Sequence, residues 1–510
     1  MPSPLGISLA VIYLILVAVD CSQSKHDNAN SRRESFRDKV HDSYRSALKL
    51  AITIPAHCPK RIDPNERIGR TKVTLYSPSN QEDIDIELDP NNLDRCAWDL
   101  VYRGGFNLWA PSVLYSPGWR EEGDILWLRQ IRHRYSALLG ADSRRNGYNL
   151  IFFDFYEDSH LSYGKAARKV PKLGRLLADF LLALRRRFNY SMSQIHLIGF
   201  SLSAHIVGVA GRHLRRVGNP IRQISVLDPA GPCFFGDSEF SYESTVGLDS
   251  AELVVARHYG FGVFGAKRKL GGIDIFINGG FKQPAELQKA ESHRLVRKLN
   301  GSHRASALHE ALSGADKMCH SVAYKCDSYR SFLDGACANC DHDNTGCFLI
   351  DTLASGSTLN SLPHYPLNET MYIDADGRTF CQFHYQLVVL LSPTVSLETI
   401  DAFRDGQVTI DLGWGLGRVA PRRQTRCAGY RAYTILVTSE NSLNLEGTIM
   451  LNEKSRVNVS PSEVLLVRLN FMSHPSREER MARSITLCPN GSHLLHASAC
   501  RAEQINLVCY

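Results

Sequence analysis

Residues 194–210 read Gln-Ile-His-Leu-Ile-Gly-Phe-Ser-Leu-Ser-Ala-His-Ile-Val-Gly-Val-Ala. An apolar run of β type (Ile195, Leu197, Ile198) meets Gly199-Phe200-Ser201-Leu202-Ser203. A stretch rich in small residues follows, with Ala204, Gly208, Ala210 and Gly211. This is the spacing of a strand, a sharp G-x-S-x-G-type turn and a helix. Such a turn lifts a serine hydroxyl clear of the sheet and aims the backbone N–H of the next residue, Leu202, into the same space. Glycine is favoured at both flanks because the backbone is crowded there. Here the second flank is Ser203. A strand ending in an ordinary Gly-Ser turn shares the pentapeptide. The apolar run before it and the small-residue helix after it favour a nucleophilic Ser201.

A serine hydroxyl becomes a nucleophile only when a histidine takes its proton and a carboxylate orients that histidine. On this kind of elbow the chain order is Ser, then Asp or Glu, then His. Ile221 to Leu227 is a β-branched apolar run ending in Asp228-Pro229-Ala230-Gly231-Pro232-Cys233-Phe234. A carboxylate at a strand's C-terminal end, before a proline turn, is where the acid is expected. An Asp that merely caps a turn is the competing reading. The chain has 19 histidines, and residue type alone does not choose among them.

Leu227-Asp228-Pro229-Ala230 with Pro232-Cys233-Phe234 resembles the acid loop of the pancreatic lipase family, which includes lipoprotein lipase. In that family the catalytic histidine closely follows a cysteine and precedes a variable residue, an arginine and a small residue. Cys319, His320 and Ala323 resemble this pattern, with Val322 in the arginine's place. The resemblance therefore implies His320 as the base. Cys326-Asp327-Ser328-Tyr329-Arg330-Ser331-Phe332, then Gly335, Cys337, Cys340 and Cys347, resemble the family's cysteine-rich segment. They imply the disulfides Cys326–Cys337 and Cys340–Cys347. Phe383-His384-Tyr385-Gln386 is similar to the start of the family's C-terminal β-sandwich, the PLAT domain. The likeness runs from about Thr71 to the C-terminus.

The resemblance implies more. The family's second oxyanion donor is an aromatic residue in a His-Gly-Phe turn. Here that place reads Pro117-Gly118-Trp119, which keeps the Trp119 N–H. The family carries a lid between the strand after the acid loop and the histidine. The stretch between Asn278-Gly279-Gly280 and Cys319 is long and charged, with helical character over Ala285 to Leu299. The family's lid-base disulfide looks absent, because Pro284-Ala285-Glu286 occupies the place of its first cysteine. The structural calcium of the family has one matching ligand, Asp249, while the other acidic position reads Val246. A site needing several oxygens loses a carboxylate, so Asp249 is a weak calcium candidate and no cofactor is expected. The family's His-Thr pair appears as Arg257-His258.

With 510 residues, two or three domains are expected. Leu5 to Val19 is apolar but too short to span a bilayer, and small polar residues follow. This reads as a signal peptide over residues 1–22, and so a secreted chain. The 14 cysteines fit an oxidising compartment. Removing Cys21 with the leader leaves an odd number, and Cys233 is the expected free thiol. Zinc at Cys337 and Cys340 is the weaker alternative to disulfides. N-x-S/T sequons begin at Asn189, Asn300, Asn368, Asn458 and Asn490. The net charge is +7, with basic clusters at 185–187, 267–269 and 422–426. Each reads alone as a solvated face. Together they suit anionic lipid or sulfated polysaccharide. Nothing resembles a nucleic-acid module.

A charged segment, 23–60, precedes an alternation of β-type runs and helices from 61 to 365. That alternation predicts a mostly parallel sheet with helices on both faces, an α/β-hydrolase fold. From 366 to 510 short alternating strands predict a PLAT-like all-β sandwich. The expected function is a secreted serine esterase acting at a lipid–water interface or a lipoprotein or membrane surface, first on triacylglycerol. Phospholipase A1 activity, or a catalytically silent lipid-binding or yolk-type role, is the alternative.

Overall fold

The structure is a computed structural model. It describes Cys58 and residues 67–76, 83–121, 126–139, 148–235, 242–262, 264–281, 283–284, 301–312, 319–340, 346–350, 368–376, 382–412, 417–427, 430–440, 442–443, 449–453, 460–474, 476–489 and 494–496. The signal peptide, most of the charged segment, the helical lid stretch and the sequons at Asn300, Asn458 and Asn490 lie outside the described residues. The chain divides into two units, residues 1–50 and 51–510, and every described residue belongs to the second.

Among the described residues eleven strands form the first sheet. In chain order they are β1 (Lys72–Tyr76), β2 (Ile84–Glu87), β3 (Ser112–Ser116), β4 (Asn149–Asp154), β5 (Ile195–Phe200) and β6 (Gln223–Leu227). The rest are β7 (Leu253–His258), β8 (Ile273–Ile277), β9 (Val322–Lys325), β10 (Cys347–Leu349) and β11 (Glu369–Ile373). The spatial order is β10-β9-β11-β8-β7-β6-β5-β3-β4-β1-β2. From β4 through β3, β5, β6, β7 and β8 to β11 every pairing is parallel. Strands β3, β5, β6 and β7 are buried along their whole length, as parallel strands covered on both faces must be, which explains their near-continuous apolar runs.

The helices that matter for the site are α1 (Leu93–Tyr102), α2 (Leu126–Leu139), α3 (Tyr163–Phe188), α4 (Leu202–Arg216) and α5 (Gly301–Leu312). Helix α3 buries Leu173, Leu177, Phe180, Leu181 and Leu184, the three-and-four spacing of one helical face. It ends at Asn189 in left-handed conformation (φ 54°), whose N–H bonds back to Arg185 O at 2.8 Å. The sequon asparagine at this cap is exposed.

Strand β11 lies parallel to β8, with Glu369 opposite Ile273. The first sheet therefore runs past the expected boundary at 365. Residues 369–373 alternate in burial, which is the pattern of a partly covered strand whichever sheet it joins. The second sheet begins at Phe383. Among the described residues its nine strands are all antiparallel, and strand 383–391 pairs with 430–439 on one side and 464–471 on the other. This is the C-terminal β domain expected from the sequence, with two short helices, Leu397–Arg404 and Arg477–Ala482, added to its strands.

Candidate active site

Strand β5 ends at Phe200, and Ser201 sits at φ 57°, ψ −114° before α4 begins at Leu202. A non-glycine residue in that region is strained. The surroundings hold it there: Ser201 N–H donates to Leu227 O at 3.0 Å, and Ala230 N–H donates to Ser201 O at 3.1 Å. A Cβ on Gly199 would lie 2.4 Å from Ser203 O, so the first flank must be glycine. The second flank tolerates Ser203 because its hydroxyl has work there. It donates to Pro117 O, and Ser116 Oγ lies 3.0 Å from it.

Asp228 stands one residue past the end of β6 and is fully buried. Its Oδ1 accepts from Tyr259 N–H at 2.9 Å, and Gly260 N–H lies 3.1 Å from both oxygens. A Cβ on Gly265 would approach Asp228 Oδ1 to 2.6 Å, so the loop can close over the carboxylate only with glycine there.

The histidine between them is His303. Its Nδ1 lies 2.6 Å from Asp228 Oδ2 and its Nε2 lies 2.7 Å from Ser201 Oγ. The network assigns the proton to Nδ1, leaving Nε2 to accept from the serine hydroxyl. The ring lies between Phe200 (centroids 4.9 Å) and Phe264 (5.4 Å, stacked). Ser201 is 8% exposed and His303 5%, so the proton path is almost dry.

The expectation that His320 is the base is therefore corrected. His320 stands beside His474, ring centroids 4.8 Å apart, and its neighbour Cys319 belongs to the hydrophobic core of the second sheet. These residues lead into β9, which lies beside the edge strand β10 and four strands away from β6. The signal was present in the sequence. His303 is followed by Arg304, Ala305 and Ser306, an arginine one position early and then small residues, whereas no arginine follows His320 closely. The absence of a neighbouring cysteine hid it.

Leu202 is the first residue of α4, and the first N–H groups of a helix have no acceptor within the helix. Trp119 follows β3 in the turn 117–120. Its backbone N–H donates none of the hydrogen bonds found among the described residues. Its indole N–H is bound to Leu161 O at 2.9 Å and its ring meets Tyr163 edge-on at 5.4 Å, which fixes the turn. Glu121 closes the same turn. Its Oε2 accepts from Gly118 N–H at 3.0 Å, and its Oε1 lies 3.6 Å from Arg304 Nη2. Burial pushes this carboxyl above the ordinary range.

Cysteines also depart from expectation. Cys233 is bonded to Cys58, so it is not the free thiol. Among the described residues the free cysteine is Cys96, on the buried face of α1. The expected pairing missed this bridge because Cys58 lies 175 residues upstream and no local spacing connects the two. Cys326 is bonded to Cys337 and Cys340 to Cys347. Cys319 is disulfide-bonded as well. Asp249 is engaged by a guanidinium: Arg212 Nε and Nη2 reach its two oxygens at 2.7 and 2.9 Å. With Val246 buried at the second ligand position, these residues do not fit a calcium ion.

A family model described as Lipase matches residues 56–359. Lipase member H of Oryctolagus cuniculus is 25% identical over 413 residues, which cover 79% of this chain and 86% of that protein. Hepatic triacylglycerol lipase of Oryctolagus cuniculus is 30% identical over 339 residues, covering 62% of this chain and 65% of that protein. Pancreatic triacylglycerol lipase of Myocastor coypus is 29% identical over 296 residues, covering 54% and 60%. The chain thus spans less than two thirds of the length of these two triacylglycerol lipases. The family match takes in the nucleophile turn, the acid loop and His303 together, and with that geometry this chain belongs to the lipase family.

Proposed function

We propose that this chain is an extracellular serine hydrolase that cleaves carboxylic ester bonds of lipids, with triacylglycerol as its first substrate. The observation that carries the reading is the unbroken chain of hydrogen bonds from Ser201 Oγ through His303 to Asp228. His303 Nε2 takes the serine proton as Oγ attacks the ester carbonyl, and Asp228 holds the imidazole and offsets its charge. The Trp119 and Leu202 N–H groups receive the oxyanion. His303 then gives its proton to the departing alcohol, leaving the acyl group on Ser201. Water, deprotonated by the same Nε2, releases the fatty acid and restores the serine.

The names of the relatives support ester hydrolysis of glycerides. The disulfides suit an oxidising compartment, and among the described residues no helix is long and apolar enough to cross a membrane. Docking to a lipid–water surface or to sulfated polysaccharide is supported by the exposed arginines at 185–187 and 422–423. Calcium has no place in this reading, since Arg212 supplies the positive charge at Asp249.

Hydrolysis of p-nitrophenyl butyrate by wild type and Ser201→Ala tests the enzyme. Equal background rates from both would leave only a silent lipid binder. Emulsions of trioleoylglycerol and phosphatidylcholine test the substrate. Dominant release of lysophospholipid would replace triacylglycerol by phospholipid.

A further inference from the structure

Arg257 and Glu310 form an ion pair in which both side chains are buried (0% and 1% exposed). Arg257 Nη1 donates to Glu310 Oε2, and Nη2 donates to Ile350 O at 2.9 Å. Tyr115 OH donates to the other carboxylate oxygen, Oε1, at 2.7 Å. Each partner sits next to a piece of the site. Tyr115 is the penultimate residue of β3, just before the turn that carries Trp119. The carbonyl of Arg257 accepts from Asp228 N–H at 2.8 Å, and Tyr259, two residues on, holds the Asp228 carboxylate. Glu310 lies on α5, seven residues after His303. Seven residues is nearly two whole helical turns, so His303 and Glu310 share one face of α5.

A buried ion pair is a poor way to gain stability, because desolvation offsets most of the attraction. Its better use is to specify a unique arrangement. The other packing of α5 comes from the small side chains Ala305, Ala307 and Ala311, from the partly buried Leu308 and Leu312, and from His309, whose Nδ1 lies 2.5 Å from Tyr259 OH. The position that resembles the family's His-Thr pair is here Arg257-His258, and the helix it reaches is the one that carries the base.

We propose that Arg257 and Glu310, with Tyr115, are positioning residues that fix the rotation and depth of α5, and so aim His303 at both Ser201 and Asp228. This rests on the functional reading above, since it supposes that His303 is the base. The pair touches no reacting atom. Its effect comes through the imidazole, where an error of about 1 Å can cost about a hundredfold in rate.

The test uses the full chain with Glu310→Gln and the double variant Arg257→Met/Glu310→Leu, which replaces the pair by apolar side chains of similar size. Hydrolysis of p-nitrophenyl butyrate and hydrogen–deuterium exchange of residues 301–312 are measured for each. We expect kcat to fall about 10–100-fold with KM changed less than about threefold, and faster exchange confined to 301–312. The double variant is expected to keep a melting temperature near wild type while kcat stays low, which a purely structural pair would not do. A folded variant of either kind with wild-type kcat and wild-type exchange over 301–312 overturns the proposal. Ser201→Ala distinguishes the two layers. If it retains wild-type hydrolysis, the functional reading fails, and exchange over 301–312 alone decides whether the pair anchors α5.

Discussion

The hydroxyl of Ser203 donates to the carbonyl of Pro117, which ties the turn of the nucleophile to the turn of the oxyanion donor. A glycine at this flank could make no such link. The residue that departs from the G-x-S-x-G spacing thus joins the two loops that must be in register during acyl transfer.

Ser203→Ala removes that link and leaves every reacting group in place. Losing a whole oxyanion donor costs about 10²–10³ in rate, so a loosened one is expected to cost about tenfold in kcat with KM little changed. Steady-state hydrolysis of p-nitrophenyl butyrate checks this. A kcat equal to wild type would mean the link is idle.

The two histidines give opposite expectations. His303→Ala removes the base and should lower kcat by at least about 10⁴-fold, while His320→Ala should stay within about twofold. The same assay reads both. A large loss in the His320 variant, with the fold intact by circular dichroism, would restore the reading that the resemblance first suggested.

The bridge between Cys58 and Cys233 closes a loop of 175 residues and ends five residues after Asp228. Cross-links across long loops restrict the unfolded chain most, and losing a native one typically costs about 2–5 kcal/mol. Cys58→Ser/Cys233→Ser should therefore lower the urea midpoint by that equivalent. An unchanged midpoint would show that the bridge does not stabilise the fold.

Three buried histidines set an acid limit. Burial pushes His196, His205 and His384 down from 6.5 to about 4. Their folded values lie below the unfolded one, so the unfolded chain binds more protons between these limits. Their contribution is complete above pH 6.5 and is lost as the pH falls toward 4, by roughly 3 kcal/mol for each. His205 shows the cause. Its Nδ1 accepts from Val246 N–H at 3.2 Å and its Nε2 lies 2.8 Å from Ala230 O, a pairing that needs the neutral ring. Urea midpoints measured from pH 7.5 down to 4.5 should fall steadily, and His384→Gln should flatten part of the slope. A midpoint independent of pH over this range would refute the assignment.

The sequence by itself determined the alternating core, the strand–turn–helix around Ser201 and the carboxylate at the end of β6. Each is a local property: apolar runs decide which segments are buried, and a crowded turn decides which flank must be small. The pairing of Cys326 with Cys337 and of Cys340 with Cys347 was likewise readable from the resemblance, because the partners lie close along the chain.

Only the tertiary structure decided which histidine completes the site, which cysteine pairs with Cys233, and what Arg257 does. His303 and His320 lie 17 positions apart, each beside residues that echo part of the expected pattern. What separates them is where the chain goes next. Helix α5 docks over the C-terminal ends of β3 and β7 through Tyr115, Arg257 and Glu310, while His320 leads into β9, four strands away from β6 and next to the edge strand β10. Contacts between residues far apart in sequence leave no periodic or spacing signal, because the loop lengths between them are free to vary without changing which side chains finally meet.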